Sequence, residues 1–472
     1  MQPQEQLNYS GNLFSEHLIT KTSDRSDQLS QWVEHVTKQL IEDLPETDHD
    51  LTPTYDDGGA TVAALLGELS PIRKAARKSS DDSPGSTLPT KVPADEVAMS
   101  LLTLLFECAV AISLDNLGEA HRMLLELSQT ASPYGASSAE RVVAYFAKAM
   151  SSRVVNSWIG VCAPIHVDFK AVHAAFHVYN NVSPFVKFAH FTSNQAILEA
   201  CSRHSRLHIV DLDIMQGLQW PALFHILATR AEGAPYVRMT GLGSSMELLL
   251  ETGKQLSSFA RRLGMQFEFH AVEKKFGDVA DVSALGIRRG DTLAVHWLQH
   301  SLYDATGPDW KTMRLLQGLR PRVVTLVEQE IAHGGSFLDR FVASLHYYST
   351  MFDSLGAFLA GEDAGRHRVE QWVLHREINN VLAVGGPARS GEDKFRNWRS
   401  ELAGSGFVQM GMSGNAMAQA QLILNMFPAA RGYRLVQGDH GTLSLGWKDT
   451  SLYTASAWTS PNHHLHHMHA PS

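Results

Sequence analysis

Two carboxylates stand one residue apart, at Asp211 and Asp213, where the strand predicted for residues 207–211 ends and the helix predicted for residues 218–230 approaches. In an open α/β sheet, ligands and catalysts collect where a strand's carboxyl end meets the next helix. Paired carboxylates there can serve as general acid and base or as metal ligands. Because no serine, cysteine or histidine constellation accompanies them in sequence, we interpret one as a cap of the following helix and the other as a surface charge.

The turn after this strand lacks the composition of a nucleotide site. A cofactor such as S-adenosylmethionine needs a glycine-rich turn for close backbone approach and an acidic residue after the second strand for the ribose hydroxyls. Here the turn holds one glycine, Gly217, beside the bulky Ile214 and Met215. The second predicted strand is followed by Gly241 and Gly243, which favour a tight turn over a phosphate site. We therefore expect no cofactor, and a methyltransferase that uses S-adenosylmethionine is one alternative function.

Histidines and cysteines give only weak indications of metal binding. His296 and His300 are four residues apart, which is half of a zinc site if the segment is helical, but the glutamate of that motif is missing. The three cysteines lack zinc spacing and lie in apolar segments, as reduced core thiols do. We expect no metal site. Residues 460–472 are predicted to form a solvated tail. They contain the histidine tract His463, His464, His466, His467 and His469.

Composition favours a globular protein without a membrane or polyanion signature. Hydrophobic residues make up 44% of the chain, which suffices for a large core. Apolar runs such as 323–327 are too short for a bilayer, and residues 1–12 lack the apolar stretch of a signal peptide, so we expect neither membrane contact nor export. A net charge of -9 repels a polyphosphate unless basic residues cluster on one face, so bulk charge does not support direct DNA binding.

The composition and the spacing of apolar residues change twice along the chain. Residues 1–94 are rich in Ser, Thr, Asp and Pro and are predicted to be largely disordered. Helical spacing of apolar residues then predicts a series of amphipathic helices, with a capping box at Ser137 and Glu140. From residue 207, strands and helices alternate, which predicts a parallel, doubly wound, Rossmann-like α/β sheet, and a helical insertion follows at 335–381. Antiparallel strands are predicted last, at residues 407–412, 433–437, 442–447 and 454–458.

An early predicted helix contains an LxxLL pattern at residues 101–105. On an exposed helix this pattern docks in a partner's apolar groove, whereas in an amphipathic helix it is more often core. The helices over residues 97–154 carry more apolar surface than one face requires, so we expect some of it to pair with another chain. The candidate partner-binding leucines are Leu101, Leu104, Leu105 and Leu124.

In their order along the chain, these blocks resemble the plant GRAS family, with leucine-rich helices on both sides of a central motif. The family's VHIID core is matched by His208, Ile209, Val210, Asp211 and Asp213. Arg376 and Glu377 match the close of its PFYRE region, and they either contact a partner or join a structural ion-pair network. The terminal SAW region is matched by Trp398, Trp447, Ser456, Ala457 and Trp458, of which the last and Trp447 are predicted core aromatics.

The resemblance covers residues 95–459 and is most specific to the SCARECROW and SCARECROW-like branch, through segments 216–221, 295–304 and 380–387. It divides the domain into leucine-rich cap helices, a VHIID region, a second leucine-rich region, a PFYRE region and a SAW region, at residues 95–160, 161–242, 243–290, 291–388 and 389–459. The DELLA motif of another branch is missing from the sequence, so gibberellin-dependent degradation is not expected.

The resemblance implies a methyltransferase-like α/β core with a helical cap, used for binding and not for catalysis. It implies a nuclear transcriptional regulator in plant development, with a part in radial patterning and asymmetric cell division. The implied partners are a SHORT-ROOT-like GRAS protein, which would pair with the cap helices, and zinc-finger transcription factors of the indeterminate-domain type. Contact with DNA would then be indirect, which agrees with the acidic net charge. A transcription factor that binds DNA directly, through a basic groove, is the second alternative function beside the methyltransferase.

Overall fold

The computed structural model describes residues 94–160, 168–299, 310–331, 334–383, 397–427 and 430–461. The predicted disorder of the N-terminal region falls on residues 1–94, which lie outside the described residues except for Ala94. The predicted solvated histidine tract, at 463–469, also lies outside them, as do His300 and Cys162.

The part of the chain before the sheet is helical, as predicted. Its helices are α1 (Ala94–Ser113), α2 (Leu117–Thr130), α3 (Ser138–Ile159), α4 (Phe169–Val182) and α5 (Pro184–Ala200). Asn116 and Asp168 cap α2 and α4 with their side chains. The capping box predicted at Ser137 is wrong, because this side chain makes no cap hydrogen bond and the Glu140 carboxylate accepts instead from the Ser132 amide at 3.2 Å.

Helix α1 differs from the prediction that the apolar runs are too short for a bilayer. The segment Glu96–Ser113 is long and apolar enough by length and composition alone, and 33% of it is buried inside the structure. Its inner face, which includes Leu101, Leu105 and Cys108, packs in the core against α2 and α3. This packing accounts for one side of an unusually apolar helix and leaves the other side exposed.

Residues 206–329 build the parallel part of one sheet. Its strands run in the order β3-β2-β1-β4-β5 and are β1 (Arg206–Asp211), β2 (Tyr236–Leu242), β3 (Phe267–Val272), β4 (Thr292–Leu298) and β5 (Val323–Gln329). The intervening helices are α6 (Trp220–Ala228), α7 (Met246–Arg262) and α8 (Trp310–Leu319). Since the strand order reverses between β1 and β4, the ligand crevice of a doubly wound sheet lies at the carboxyl end of β1. The predicted Rossmann-like α/β class is confirmed.

After β5 the chain returns to the cap, through α9 (Phe337–Gly356), α10 (Ala364–Val369), a π-helical turn (Glu370–Leu374) and α11 (His375–Leu382). Inside the cap, the Glu370 carboxylate lies 3.0 Å from Arg141 Nε and 3.5 Å from Arg366 Nε, and all three side chains are buried. Burial raises the pKa of Glu370 to about 7 in spite of both arginines. The triad joins α3 to the later helices, so two distant parts of the chain form one cap.

The C-terminal strands extend the same sheet instead of forming a separate one. They are β6 (Val408–Met410), β7 (Tyr433–Gln437), β8 (Leu443–Trp447) and β9 (Thr450–Thr459). β9 is antiparallel to β5, with Leu326 opposite Ser456, and its other edge pairs with β8 and β6. Two helices in this region escaped the sequence analysis, α12 (Trp398–Gly404) and α13 (Gly414–Asn425). A signal for α13 was present in Ser413, whose side chain caps it.

Two apolar cores cover the two faces of the sheet. The larger core joins the sheet to the cap and includes Leu207 and Ile209 of β1. The second core lies on the opposite face and includes Val210, Leu316 and Trp458. Neighbouring residues of β1 therefore belong to different cores, because successive side chains of a strand point to opposite faces.

Trp458→Ala is expected to lower the free energy of unfolding by about 3 to 5 kcal/mol, because it removes a side chain that is 3% exposed and leaves a cavity in the second core. Urea unfolding followed by circular dichroism measures the effect. Trp158→Ala is the matched control, since that tryptophan is 52% exposed on α3 and its loss is expected to cost less than about 1 kcal/mol. Equal costs for the two variants would contradict the placement of Trp458.

Candidate functional site

The loop that follows β1, residues 212–219, folds into the crevice and is tied to both neighbouring strands. The Leu212 amide donates to the His296 carbonyl of β4 at 3.0 Å, and the Ile214 amide donates to the Leu242 carbonyl of β2 at 3.0 Å. Two further side chains hold it from the helices, because Thr252 Oγ1 donates to the Met215 carbonyl at 2.9 Å and Asn194 Nδ2 to the Gln219 carbonyl at 3.0 Å. The loop is thus fixed in place by the core around it.

Asp211 is buried at the base of this loop. Its Oδ2 accepts a hydrogen bond of 2.9 Å from the Trp220 indole, and its Oδ1 accepts one of 3.3 Å from the Asp213 amide. The prediction that one of the two aspartates caps α6 is wrong, because the N-cap is Gln219 and no side chain caps it. Burial raises the pKa of Asp211 to about 8, although the Trp220 bond lowers it. The carboxyl therefore anchors the first residue of α6 through its indole.

His296 packs on the same tryptophan from β4. Its ring meets the Trp220 ring edge to face at 5.5 Å, and its Nδ1 lies 2.9 Å from the Thr325 hydroxyl. Burial lowers the pKa of His296 to about 3, so the imidazole is neutral at physiological pH. Because His296 belongs to a strand, the helical i, i+4 spacing needed for a zinc pair with His300 does not exist here. Among the described residues no group of three or more possible metal ligands is found.

Apolar side chains fill most of the crevice at the carboxyl end of β1, which is where doubly wound sheets bind ligands. Ile214, Met215 and Trp220 are all buried, and the cavity left between the loop, β1 and β4 measures about 20 Å³. This is room for about one water, whereas small-molecule sites measure roughly 300 to 1,000 Å³. Gly241 supports this filling, because a Cβ there would come within 2.9 Å of both Ile214 and Phe269. Gly241 is therefore part of β2 and a packing position, and it does not form the predicted tight turn.

The histidine and the first aspartate of the VHIID motif face opposite sides of the sheet. His208 Nε2 lies 2.8 Å from Thr240 Oγ1, and that hydroxyl donates to the Leu285 carbonyl at 2.7 Å. The histidine must therefore donate through Nε2. Ile209 and Val210 between them are fully buried, one in each core. His208 and Asp211 thus cannot act as a catalytic pair.

Glu377 joins the cap to the carboxyl end of β5. The Gln329 amide donates to both of its oxygens at 3.0 Å, and the Tyr348 hydroxyl donates at 3.1 Å. Glu377 is 2% exposed and its neighbour Arg376 is 9% exposed. The burial of both side chains contradicts their candidate role as a partner surface. Glu377 instead has a structural role through these hydrogen bonds. Sequence reasoning missed Gln329 and Tyr348, which are separated from Glu377 by 48 and 29 residues.

The candidate partner-binding leucines also lie inside. Leu101, Leu105 and Leu124 are buried in the larger core, and Leu104 is half-buried. The exposed apolar residues of α1 are instead on its other side, where Met99, Phe106 and Val110 are 64%, 40% and 43% exposed. Their spacing of seven and four residues is the signal that places them on one face.

The residues matched to the SAW region secure the C-terminal strands. Trp398 lies 4.6 Å from Trp297 between ring centroids, and its amide donates to Glu328 Oε1 at 2.7 Å. Trp447 Nε1 donates to Asp353 Oδ2 at 2.7 Å. Within β9, Trp458 Nε1 donates to the Ser456 hydroxyl at 2.9 Å, and that hydroxyl donates to the Leu326 carbonyl of β5. Ala457 between them is buried.

The model of the GRAS domain family matches residues 101–459. The chain belongs to this family. It is 57% identical over 373 residues to the protein SCARECROW of Pisum sativum, which covers 78% of this chain and 45% of that protein. It is 49% identical to Scarecrow-like protein 23 of Arabidopsis thaliana, over 77% of this chain and 90% of that protein. The resemblance to the SCARECROW branch is thus confirmed.

The GRAS chain spans about half the length of the curated SCARECROW proteins that it matches first. Among solved structures it is similar to the crystal structure of SCL7 in Oryza sativa, with a TM-score of 0.66 and 32% identity. That similarity covers 76% of this chain and 99% of the SCL7 chain. The cap and the filled crevice described above thus belong to a GRAS domain.

Asp211→Asn is expected to change how stability depends on pH. The unfolded chain ionises this carboxyl near a pKa of about 4 and the folded chain near a pKa of about 8. The folded state therefore binds the extra proton between these values, and native stability falls as pH rises through them. Asparagine keeps the acceptor for Trp220 and does not ionise.

As the pH rises from about 5 to 8, the unfolding free energy of the native chain should fall relative to that of Asp211→Asn. The expected fall is up to about 1.4 kcal/mol per pH unit. Urea unfolding at several pH values measures it. The buried histidines titrate alike in both proteins, so their contribution cancels in the difference. A difference that does not vary with pH would sink the assignment of a protonated carboxyl.

Proposed function

We propose that this GRAS chain is a nuclear transcriptional regulator that acts by binding other proteins and not by catalysis. The observation that carries the proposal is the filled crevice, in which the buried Ile214, Met215 and Trp220 leave a cavity of about 20 Å³. Family membership beside proteins named SCARECROW supports a part in plant development, in radial patterning and asymmetric cell division. A domain that has an enzyme-like architecture but no room for a ligand in its crevice would function through its surface.

The outer face of the cap is the proposed site for a SHORT-ROOT-like GRAS partner. On α1 this face consists of Met99, Phe106 and Val110, and the neighbouring α9 adds Val342, which is 47% exposed. Phe106 also meets the buried Phe341 of α9 edge to face at 5.3 Å, so the two helices pack against each other beside this face. Exposed apolar patches of this kind mark protein contact sites. Zinc-finger partners of the indeterminate-domain type would then select the promoters.

Phe106→Ser combined with Val110→Ser is expected to weaken the complex with a SHORT-ROOT-like GRAS protein by at least about tenfold, since each removes an apolar anchor worth roughly 1.5 to 3 kcal/mol when buried. Co-purification and calorimetric titration of the full chains measure the affinity. Val436→Ser is the control, because this residue is 46% exposed on β7, in another part of the fold. No complex with the native chain, or equal affinities for all variants, would end the proposal.

The first alternative function, a methyltransferase that uses S-adenosylmethionine, makes a separate prediction. Calorimetric titration of the full chain with S-adenosylmethionine is expected to give no binding at micromolar concentrations, because the turn side chains leave about 20 Å³. Clear micromolar binding would overturn the binding-scaffold proposal and would require the 212–219 loop to open.

A further inference from the structure

The loops that lead into the five parallel strands are rich in arginine. In segments 201–206, 229–235, 261–266, 286–291 and 319–322 there is no lysine, and the acidic residues are Glu232 and Asp291. Nine arginines occupy these segments, namely Arg203, Arg206, Arg230, Arg261, Arg262, Arg288, Arg289, Arg320 and Arg322. So strong a bias toward one basic residue type is unexpected in a chain of net charge -9.

The topology brings these loops together. Because β1 to β5 are all parallel, the segments that precede them meet at one edge of the sheet, at the amino ends of the strands. Neighbouring strands are about 4.8 Å apart, so five strands span roughly 19 Å. We call this surface the arginine edge. It lies opposite the edge that carries Asp211 and the filled crevice.

The few acids of the arginine edge do not neutralise it. The Asp291 carboxylate is buried and already paired, with Arg206 at 3.0 Å and with Arg238 of β2. Arg203, Arg289 and Arg320 are exposed, and their side chains have no hydrogen-bond or ion-pair partner among the described residues. These three arginines precede β1, β4 and β5, so unpaired positive charge spans neighbouring strands.

The acidic balance of the whole chain arises elsewhere. Residues 1–93 hold eight basic and fifteen acidic side chains, and the remaining chain holds 32 basic and 34 acidic ones. The rest of the chain is therefore nearly neutral. Since salt screens charges beyond about 8 to 10 Å, the local excess of arginine decides what this edge attracts. An acidic chain can bind a polyphosphate only if its basic residues cluster on one face, and the arginine edge is such a cluster.

The chemistry of the edge favours a phosphate backbone over a protein partner. Among the described residues, none of the exposed large apolar side chains lies in the five loop segments, so a peptide would find no apolar anchor there. Guanidinium groups match phosphate oxygens in geometry and charge. We propose that the arginine edge binds the phosphate backbone of duplex nucleic acid without reading its bases. This contact goes beyond the proposed recruitment through partners and does not depend on it.

The test is fluorescence anisotropy of a short labelled duplex with the full chain, titrated at several salt concentrations between about 50 and 200 mM. The variant combines Arg203→Gln, Arg289→Gln and Arg320→Gln, which are exposed and unpaired, and a thermal melt checks that it folds. Each lost phosphate contact removes about 0.9 from the slope of log K against log salt, so the slope should fall by roughly 2 to 3. Two duplexes of unrelated sequence should bind alike.

The matched control combines Lys170→Gln, Lys254→Gln and Lys274→Gln, which change the net charge equally but lie away from the arginine edge. This control should bind the duplex like the native chain. Absence of duplex binding by the native chain, or an equal loss in the control, would overturn the proposal. A synthetic peptide of the acidic segment 42–57 is the competing ligand, and binding of that peptide without binding of duplex would assign the edge to acidic proteins and also overturn the proposal.

The outcome is independent of the partner surface on the cap. The Phe106 and Val110 variant should bind duplex with native affinity, because both residues belong to α1. If that variant loses its GRAS partner and keeps duplex binding, both proposals stand. If only the partner-binding experiment fails, the proposal that the arginine edge binds duplex is not affected.

Discussion

The hydrogen bond between the Trp220 indole and the buried Asp211 carboxyl is the interaction on which the crevice depends. It places the first residue of α6 in contact with the end of β1, where His296 packs against the other side of the indole. A carboxyl so deeply buried is costly unless it is neutral or well bonded, and here its raised pKa and its two donors meet that cost. In this GRAS chain the central motif thus closes the crevice.

A second buried acid performs a similar task at the end of β5. Glu377 accepts from the Gln329 amide and the Tyr348 hydroxyl, and so connects α11, β5 and α9 at one point. Inside the cap, Glu370 joins α3 to α10 through two arginines. Removing one partner of such a buried network leaves an unpaired polar group or charge, which costs far more than the network contributes over apolar packing. These acids fix how the cap sits on the sheet, and the cap's outer face depends on that placement.

The parallel strands could be predicted from sequence because a buried strand is a short continuous apolar run. β1, for example, begins one residue before the predicted segment 207–211 and ends with it. Which face of α1 is exposed could not be predicted from sequence. Apolar residues occur on most sides of this helix, with Leu101 and Leu105 on the buried side and Met99 and Phe106 on the exposed side. The predicted position of Asp211 was correct and its predicted role as a helix cap was wrong. Its partner, the Trp220 indole, is brought to it by the approach of α6 and not by local sequence. Glu377 likewise depends on Gln329, 48 residues away.

Net charge was a poor guide for a related reason, because it averages over distances longer than the range of screened electrostatics. The parallel topology gathers every loop before a strand at one edge, so arginines that are scattered along 120 residues of sequence become neighbours. Glu377 attaches its part of the cap at the carboxyl end of β5, which is the opposite edge. A parallel sheet thus separates what its two edges can bind, and a chain whose crevice is closed at one edge still carries exposed arginines at the other edge, which would attract a ligand of opposite charge.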